Sequence, residues 1–354
     1  MSAGPRFLVV QTAYLGDLVL TTPLVRELTR ARPQAEITIV TTRLGPDVFE
    51  GLPGVRDVIV FDKRGSGLRG VLELSRRLRC GRHDAVLLAH RSHRSASLAL
   101  LAGIGCRIGF AGAPGAWAYT ATVPRDPTHH AVRRYLALSA HVGGDPEGAD
   151  RAPRIGGLPH ARAAARRLLE VCGLPPGTPF VALAPGSVWP TKRWTPEGFA
   201  AVARSIRARG VEPLLVGAED DVAACRAVAT ALPGGIRSLA GRTTVAELAA
   251  VLERAVALVG NDSGATHVAA AVGTPAVAVF GPTVPALGFA PVGDEHAIVE
   301  RRDLACRPCS RHGGRRCPLG HFRCMREIDG ERVLEALRPM LERRGASAPA
   351  EIAS

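Results

Sequence analysis

Short apolar runs alternate with amphipathic stretches along most of this chain, and that rhythm constrains the fold more than any other feature. Arg6–Gln11 reads as a buried strand. A helix follows over Leu18–Arg32, with Leu18, Leu20, Leu24 and Leu28 near helical spacing. Strands are predicted at Glu36–Thr41, Val55–Asp62 and Asp84–Leu88, and helical stretches at Leu68–Cys80 and Ala96–Ala102. Strand–helix–strand repetition implies a parallel sheet. The rhythm breaks in the Gly- and Pro-rich stretch around Gly143–Pro159 and then restarts. Beyond it, helices are read at His160–Cys172, Pro196–Arg209, Ala224–Leu232 and Val245–Arg254. The strands of that half are Phe180–Ala184, Glu212–Val216, Ala255–Val259 and Ala276–Phe280.

The expected fold is therefore α/β, with two Rossmann-like parallel-sheet domains, 1–150 and 151–330, facing a cleft. A terminal helix over 331–344 is expected to pack back on the first domain, and 345–354 to form a loose tail. A length of 354 residues suits two domains, and a hydrophobic share of 46% excludes a disordered chain. The net charge of +13 favours anionic partners such as lipid head groups or phosphorylated sugars, or is simply a solvated basic surface. No block of consecutive basic residues and no reader motif supports nucleic acid as a partner. No signal peptide and no apolar run long enough to span a membrane is visible, so the protein is expected in the cytoplasm, touching the inner face of the membrane only peripherally.

Ligands of such sheets bind beyond the carboxyl ends of the strands, so the loops there carry the information. Thr12-Ala13-Tyr14-Leu15-Gly16-Asp17 follows the first strand. Gly16 allows a tight backbone path, and Asp17 is either a helix cap or a general base. Pro185–Trp194 holds two tryptophans, the hydroxyls of Ser187 and Thr191, and Lys192 beside Arg193. It is either a diphosphate site or a surface loop packed by its tryptophans. Asn261–His267 contains Asp262, Ser263, Gly264 and His267 before an Ala-rich helix. Free N–H groups at that helix start make an anion site, or the segment is a plain cap with His267 buried. His90, Arg91, His93 and Arg94 in Ala89–Ser95 either bind acceptor phosphate or are solvated.

These segments, in this order, resemble the ADP-heptose:lipopolysaccharide heptosyltransferase family, most closely its heptosyltransferase II branch. The matching pieces are Tyr14-Leu15-Gly16-Asp17, Pro185-Gly186 with Lys192-Arg193-Trp194, Leu239-Ala240-Gly241, Asn261-Asp262-Ser263-Gly264 with His267, and Gly281-Pro282-Thr283. The resemblance implies the GT-B architecture, with the acceptor on the first domain and the nucleotide sugar on the second. It implies inverting, metal-independent transfer of heptose from ADP-heptose to an acidic glycolipid, the lipopolysaccharide inner core. The alternatives are a relative that uses another nucleotide sugar or acceptor, and a non-catalytic homologue. By resemblance Asp17 is the base, Lys192 meets the donor phosphate and Ser187 falls near its contacting hydroxyls; Thr191, whose hydroxyl could donate to phosphate, Ser263 and His267 complete the donor-binding candidates. Asp262 and Gly264 belong to the donor loop, Thr243 lies near adenine, and Glu219 or Asp220 near ribose. Gly16, His90, Arg91 and Arg94 fall on the acceptor side.

Four of eight cysteines cluster as Cys306-x₂-Cys309-x₇-Cys317-x₆-Cys324, within a Cys-rich loop spanning 303–326. The spacing suits a structural Zn²⁺ site, reduced thiols or disulfides, the last disfavoured in cytoplasm. Catalysis is not expected to need a metal there.

Overall fold

The computed structural model describes residues 4–62, 65 and 67–345. The chain forms two units that divide between Gly157 and Leu158, seven residues beyond the predicted boundary at 150.

The first unit runs β1 (Arg6–Gln11), α1 (Leu15–Ala31), β2 (Glu36–Thr41), α2 (Gly45–Phe49), β3 (Val55–Val60), α3 (Gly67–Cys80), β4 (Ala85–Leu88), α4 (His93–Leu101), β5 (Cys106–Phe110), β6 (Ala121–Val123) and α5 (Ala131–Leu136). Its six strands are parallel in the order β3-β2-β1-β4-β5-β6. The central strands are apolar on both faces because helices cover both, and Phe7, Leu8, Val9 and Val10 are all buried. Helix α1 starts at Leu15, three residues before the predicted Leu18, so Gly16 and Asp17 lie inside its first turn. Gly16 takes an ordinary helical conformation, and the tight path expected of it is not used.

The second unit begins with α6 (Leu158–Val171) and β7 (Phe180–Ala184), then α7 (Pro196–Arg207), β8 (Glu212–Leu215), α8 (Val222–Ala231), β9 (Arg237–Ser238), α9 (Val245–Arg254), β10 (Ala257–Asn261), α10 (Gly264–Ala271), β11 (Ala276–Phe280), β12 (Ala297–Glu300), α11 (Arg323–Arg326) and α12 (Gly330–Gly345). Its strands are again parallel, ordered β12-β11-β10-β7-β8-β9. The core joins β7, β10 and β11 to α7 through Leu183, Phe199, Val259 and Val277. The sequence reading sends the terminal helix to the first unit. Its buried face, Val333, Leu337 and Met340, instead belongs to this second core, against α7, β10, β11 and β12. Of the tail expected from 345 to 354, Gly345 ends α12 and 346–354 lie outside the described residues. No helix among the described residues is long and apolar enough to cross a membrane.

Candidate functional site

In each sheet the strand order reverses direction at one place, and the crevice beyond the strand ends there is where open α/β sheets take ligands. In the first unit that place lies between β1 and β4. Thr12, just past β1, faces His90, just past β4, with Thr12 Oγ1 and His90 Nδ1 3.1 Å apart. Asp17 stands half-buried on the same rim, in the first turn of α1, where the helix dipole favours a carboxylate. It does not cap the helix: the cap position is Tyr14 and carries no side-chain bond. Tyr135 Oη donates to Asp17 Oδ1 at 2.7 Å. Burial, then the charge of Asp17 and its hydrogen bond, push the Tyr135 hydroxyl well above its ordinary range, so Tyr135 is a permanent donor. Below them Gln11 Nε2 donates to Thr21 Oγ1, which donates to the Asp17 carbonyl, fixing the first turn from beneath.

Arg91 reaches over to donate from Nη2 to the Gly112 carbonyl at 2.7 Å. Its Nε is buried with no hydrogen-bond partner, and so is the neighbouring Tyr119 hydroxyl. Buried polar groups in folded proteins are nearly always paired, so this pair fits a place where a polar ligand completes the bonding. Burial raises the Tyr119 pKa against the opposing pull of Arg91, keeping the phenol neutral. Tyr119 and Tyr135 were both missed from sequence, because each lies outside the strand-end loops. Arg94 and His93 are exposed at the start of α4 on that rim.

In the second unit the reversal lies between β7 and β10. Asn261, fully buried at the end of β10, spans it. Its Nδ2 donates to the carbonyls of Pro185 and Gly186 after β7, at 2.8 and 3.2 Å, and its Oδ1 accepts from Trp194 N at 2.9 Å. Trp194 is a core residue, edge-on to Phe199 and donating from Nε1 to the Ile328 carbonyl. The Pro185–Trp194 loop is thus clamped at both ends. A Cβ at Gly186 would fall 2.0 Å from the Asp221 carboxyl group, so only glycine fits there.

At the centre of this loop Lys192 Nζ lies 2.5 Å from Asp262 Oδ2, the lysine 13% and the aspartate 7% exposed at the side chain. Thr283 Oγ1 donates to the same oxygen at 2.6 Å. Asp262 and Thr283 thus fix the direction of the Lys192 ammonium. The N-terminus of α10 opens beside them at Gly264. Ser263 occupies its cap position without a side-chain cap bond, and His267 is buried one turn on. Cation, helix start and threonine together make an anion-receiving corner.

The Cys-rich segment braces this corner, which the sequence did not reveal. Thr191 Oγ1 donates to the Gly314 carbonyl at 2.9 Å and accepts from Gly314 N at 2.8 Å. Both its hydrogen-bonding directions are committed, so Thr191 is a brace where sequence reasoning expected a phosphate donor. The Arg307 guanidinium is 3% exposed and donates to the carbonyls of Gly281, Phe280, Thr283 and Arg301 while pairing with Glu300 at 2.8 Å. It ties the Gly281–Thr283 turn, and through Thr283 the Asp262–Lys192 pair. Its only sequence signal is an arginine beside two cysteines. Ser187 is buried, its carbonyl holding the Arg193 guanidinium.

Beyond β8 and β9, Glu219 is exposed and its carboxylate lies against Gly241. Thr243 follows, half-buried, before Thr244 caps α9 in a capping box with Glu247. Glu219 and Thr243 therefore share one rim, one and two strands away from Lys192 in the sheet order.

Cys309, Cys317 and Cys324 line a cavity of about 40 Å³ with Thr191, Pro282 and Phe322. Among the described residues no three His, Cys, Asp or Glu side chains come together as a set able to hold a metal ion. The four cysteines, Cys306 included, are not drawn into such a set here, so their spacing alone carries the Zn²⁺ reading. They are free thiols, and burial pushes Cys324 up to about 11. Cys309 donates from Sγ to the Cys306 carbonyl at 3.0 Å.

The model of glycosyltransferase family 9 (heptosyltransferase) matches residues 71–319. Lipopolysaccharide heptosyltransferase 2 of Salmonella typhimurium is 28% identical, covering 96% of this chain and 99% of the relative. A family 9 glycosyl transferase structure from Veillonella parvula superposes with a TM-score of 0.85 at 26% identity, over 96% of this chain and 98% of that one. The structure of ADP-heptose lps heptosyltransferase II of E. coli gives 0.80 at 24%, over 96% and 99%, and shares the fold.

Proposed function

Because the chain belongs to glycosyltransferase family 9, the heptosyltransferases, we propose that it moves heptose from ADP-heptose to the inner core of lipopolysaccharide, with inversion and without a metal ion. The supporting observation is the Lys192–Asp262–Thr283 cluster at the start of α10, an electrostatic receiver for a departing diphosphate.

In this reading Asp17 takes the proton of the acceptor hydroxyl as its oxygen bonds to the anomeric carbon. The bond from that carbon to the diphosphate oxygen breaks, and ADP leaves with the electron pair. One base and no protein nucleophile give inversion. The N–H groups of α10 and the Lys192 ammonium take the growing negative charge, the work a metal ion does in other transferases. Lys192 exchanges Asp262 for phosphate oxygen as ADP forms. Glu219 and Thr243 hold the nucleoside side, and Arg91 with Tyr119 bonds the acceptor. The acceptor is a glycolipid, so the protein works against the cytoplasmic face of a membrane as a peripheral protein.

The test is turnover of purified protein with ADP-heptose and a core acceptor, with chelator present, read as ADP release and product mass. UDP-, GDP- and other ADP-sugars run in parallel. Turnover with ADP-heptose alone is expected; preference for another donor would replace the substrate, and loss of rate on chelation would end the metal-free account. Lys192→Ala should lower kcat about 10²–10³-fold. Removing one partner of a buried pair also costs about 3–5 kcal/mol, so its melting temperature is read alongside.

A further inference from the structure

Five large apolar side chains stand exposed on three neighbouring elements of the first unit. They are Leu68 (81%) and Leu72 (40%) on α3, Leu100 (41%) and Leu101 (40%) at the end of α4, and Trp117 (63%) on the turn Ala116–Ala118. The elements adjoin one another. Arg79 Nη2 donates to the Leu101 carbonyl at 2.6 Å, which places the end of α3 on the end of α4. Leu68, Leu72 and Arg79 follow as i, i+4 and i+11, one stripe of the helix, so both leucines lie on its α4 side. The turn carrying Trp117 packs on the start of α4, where a Cβ on Gly115 would meet Ala96 at 2.4 Å.

The charge on this surface is mostly positive. Helices α3 and α4 carry Arg69, Arg76, Arg77, Arg79 and Arg94 against one acid of their own, Glu73, which pairs with Arg69, while Arg77 pairs with Asp57. Exposed leucines and a tryptophan among arginines are the composition of a surface that lies in the lipid interface, apolar groups entering the acyl boundary and guanidinium groups meeting head-group phosphate. The outward side of α4 then leads from Leu100 and Leu101 back to His93 and Arg94 on the candidate acceptor rim, about 12 Å along the helix axis.

We propose that the outer faces of α3 and α4, with Trp117, dock the protein on an anionic phospholipid surface. The proposal rests on the reading that the acceptor is a glycolipid, and it assigns the surface that brings the acceptor rim to the bilayer. A lipid-anchored acceptor is then presented edge-on to α4 without leaving its membrane.

The experiment sediments the full chain with phosphatidylcholine vesicles, with and without phosphatidylglycerol. Binding to the anionic vesicles alone is expected, with a blue shift of tryptophan emission that disappears in Trp117→Phe. The Leu72→Ser/Leu100→Ser/Leu101→Ser variant should bind about tenfold more weakly, and Arg69→Ser/Arg76→Ser should lose its dependence on phosphatidylglycerol. Circular dichroism melts confirm that both variants remain folded. Transfer to a delipidated acceptor should be unchanged in both, while transfer to acceptor in vesicles falls. Equal vesicle binding by wild type and leucine variant overturns the proposal. So does sedimentation equilibrium showing a dimer that the leucine variant abolishes, since a second copy would then cover the face. If the wild type binds vesicles and transfers no heptose, the docking surface stands and the proposed activity fails.

Discussion

Asp17 and Tyr135 form the most telling pair at the scale of single residues. A carboxylate accepting a bond from a neutral phenol is held in one orientation. Asp17→Asn should lower kcat about 10²–10⁴-fold and leave ADP affinity intact, because the donor corner belongs to the other unit. Stopped-flow ADP release and titration calorimetry separate the two quantities; an unchanged kcat removes Asp17 from the chemistry. Tyr135 makes a second, pH-dependent prediction. Its pKa is raised in the folded protein above the unfolded value of about 10, so the native state holds the proton longer. The stability this contributes is complete below pH ~10 and is lost as pH rises toward the folded value. Alkaline unfolding of the wild type should therefore steepen above pH ~10 relative to Tyr135→Phe, as followed by circular dichroism. Parallel curves would show that the phenol does not carry this linkage.

Among the elements, the Cys-rich segment is a brace for the donor corner, and Arg307 is its key. Replacing Arg307 with Met leaves the mostly buried Glu300 to the exposed Arg302 and four carbonyls without this donor. The melting temperature should fall by on the order of 10 °C. Adding Glu300→Gln should recover part of that loss but not ADP affinity, because the Thr283 turn remains untied; recovery of both would reduce Arg307 to a stability role. The sequence made the central elements legible. β7 and β11 are apolar throughout because both faces are buried, β1 and β2 are mostly buried, and the limits of all four match the reading. It hid β5, whose first two residues are half-solvated and whose Arg107 and Gly109 break the apolar run, and the edge strands β6, β9 and β12 of two to four residues, half-solvated and weakly patterned. Lys192, Asp262 and Asp17 were legible because they lie in loops or first turns after buried strands. Thr191 was misread because its partner, Gly314, stands more than a hundred residues away. Arg307 and Tyr135 were missed for the same reason, since pairing with distant residues leaves no local pattern, and Tyr119 because it lies outside the strand-end loops.

For the whole molecule, the net charge of +13 acts through capture. Exposed cation–phosphate contacts are screened by salt, so the KM for a phosphorylated acceptor should rise several-fold with ionic strength while kcat changes little. Steady-state kinetics across a salt series checks this; a flat KM would leave the basic surface without a part in acceptor binding.

The bonds from Thr191 to Gly314 and from Arg307 to the Thr283 turn also set an order of events during synthesis. A nascent chain emerging from the ribosome can complete β7, β10 and β11 before either brace exists. A chain that stops before Arg307 pairs Lys192 with Asp262 but lacks both braces of that corner.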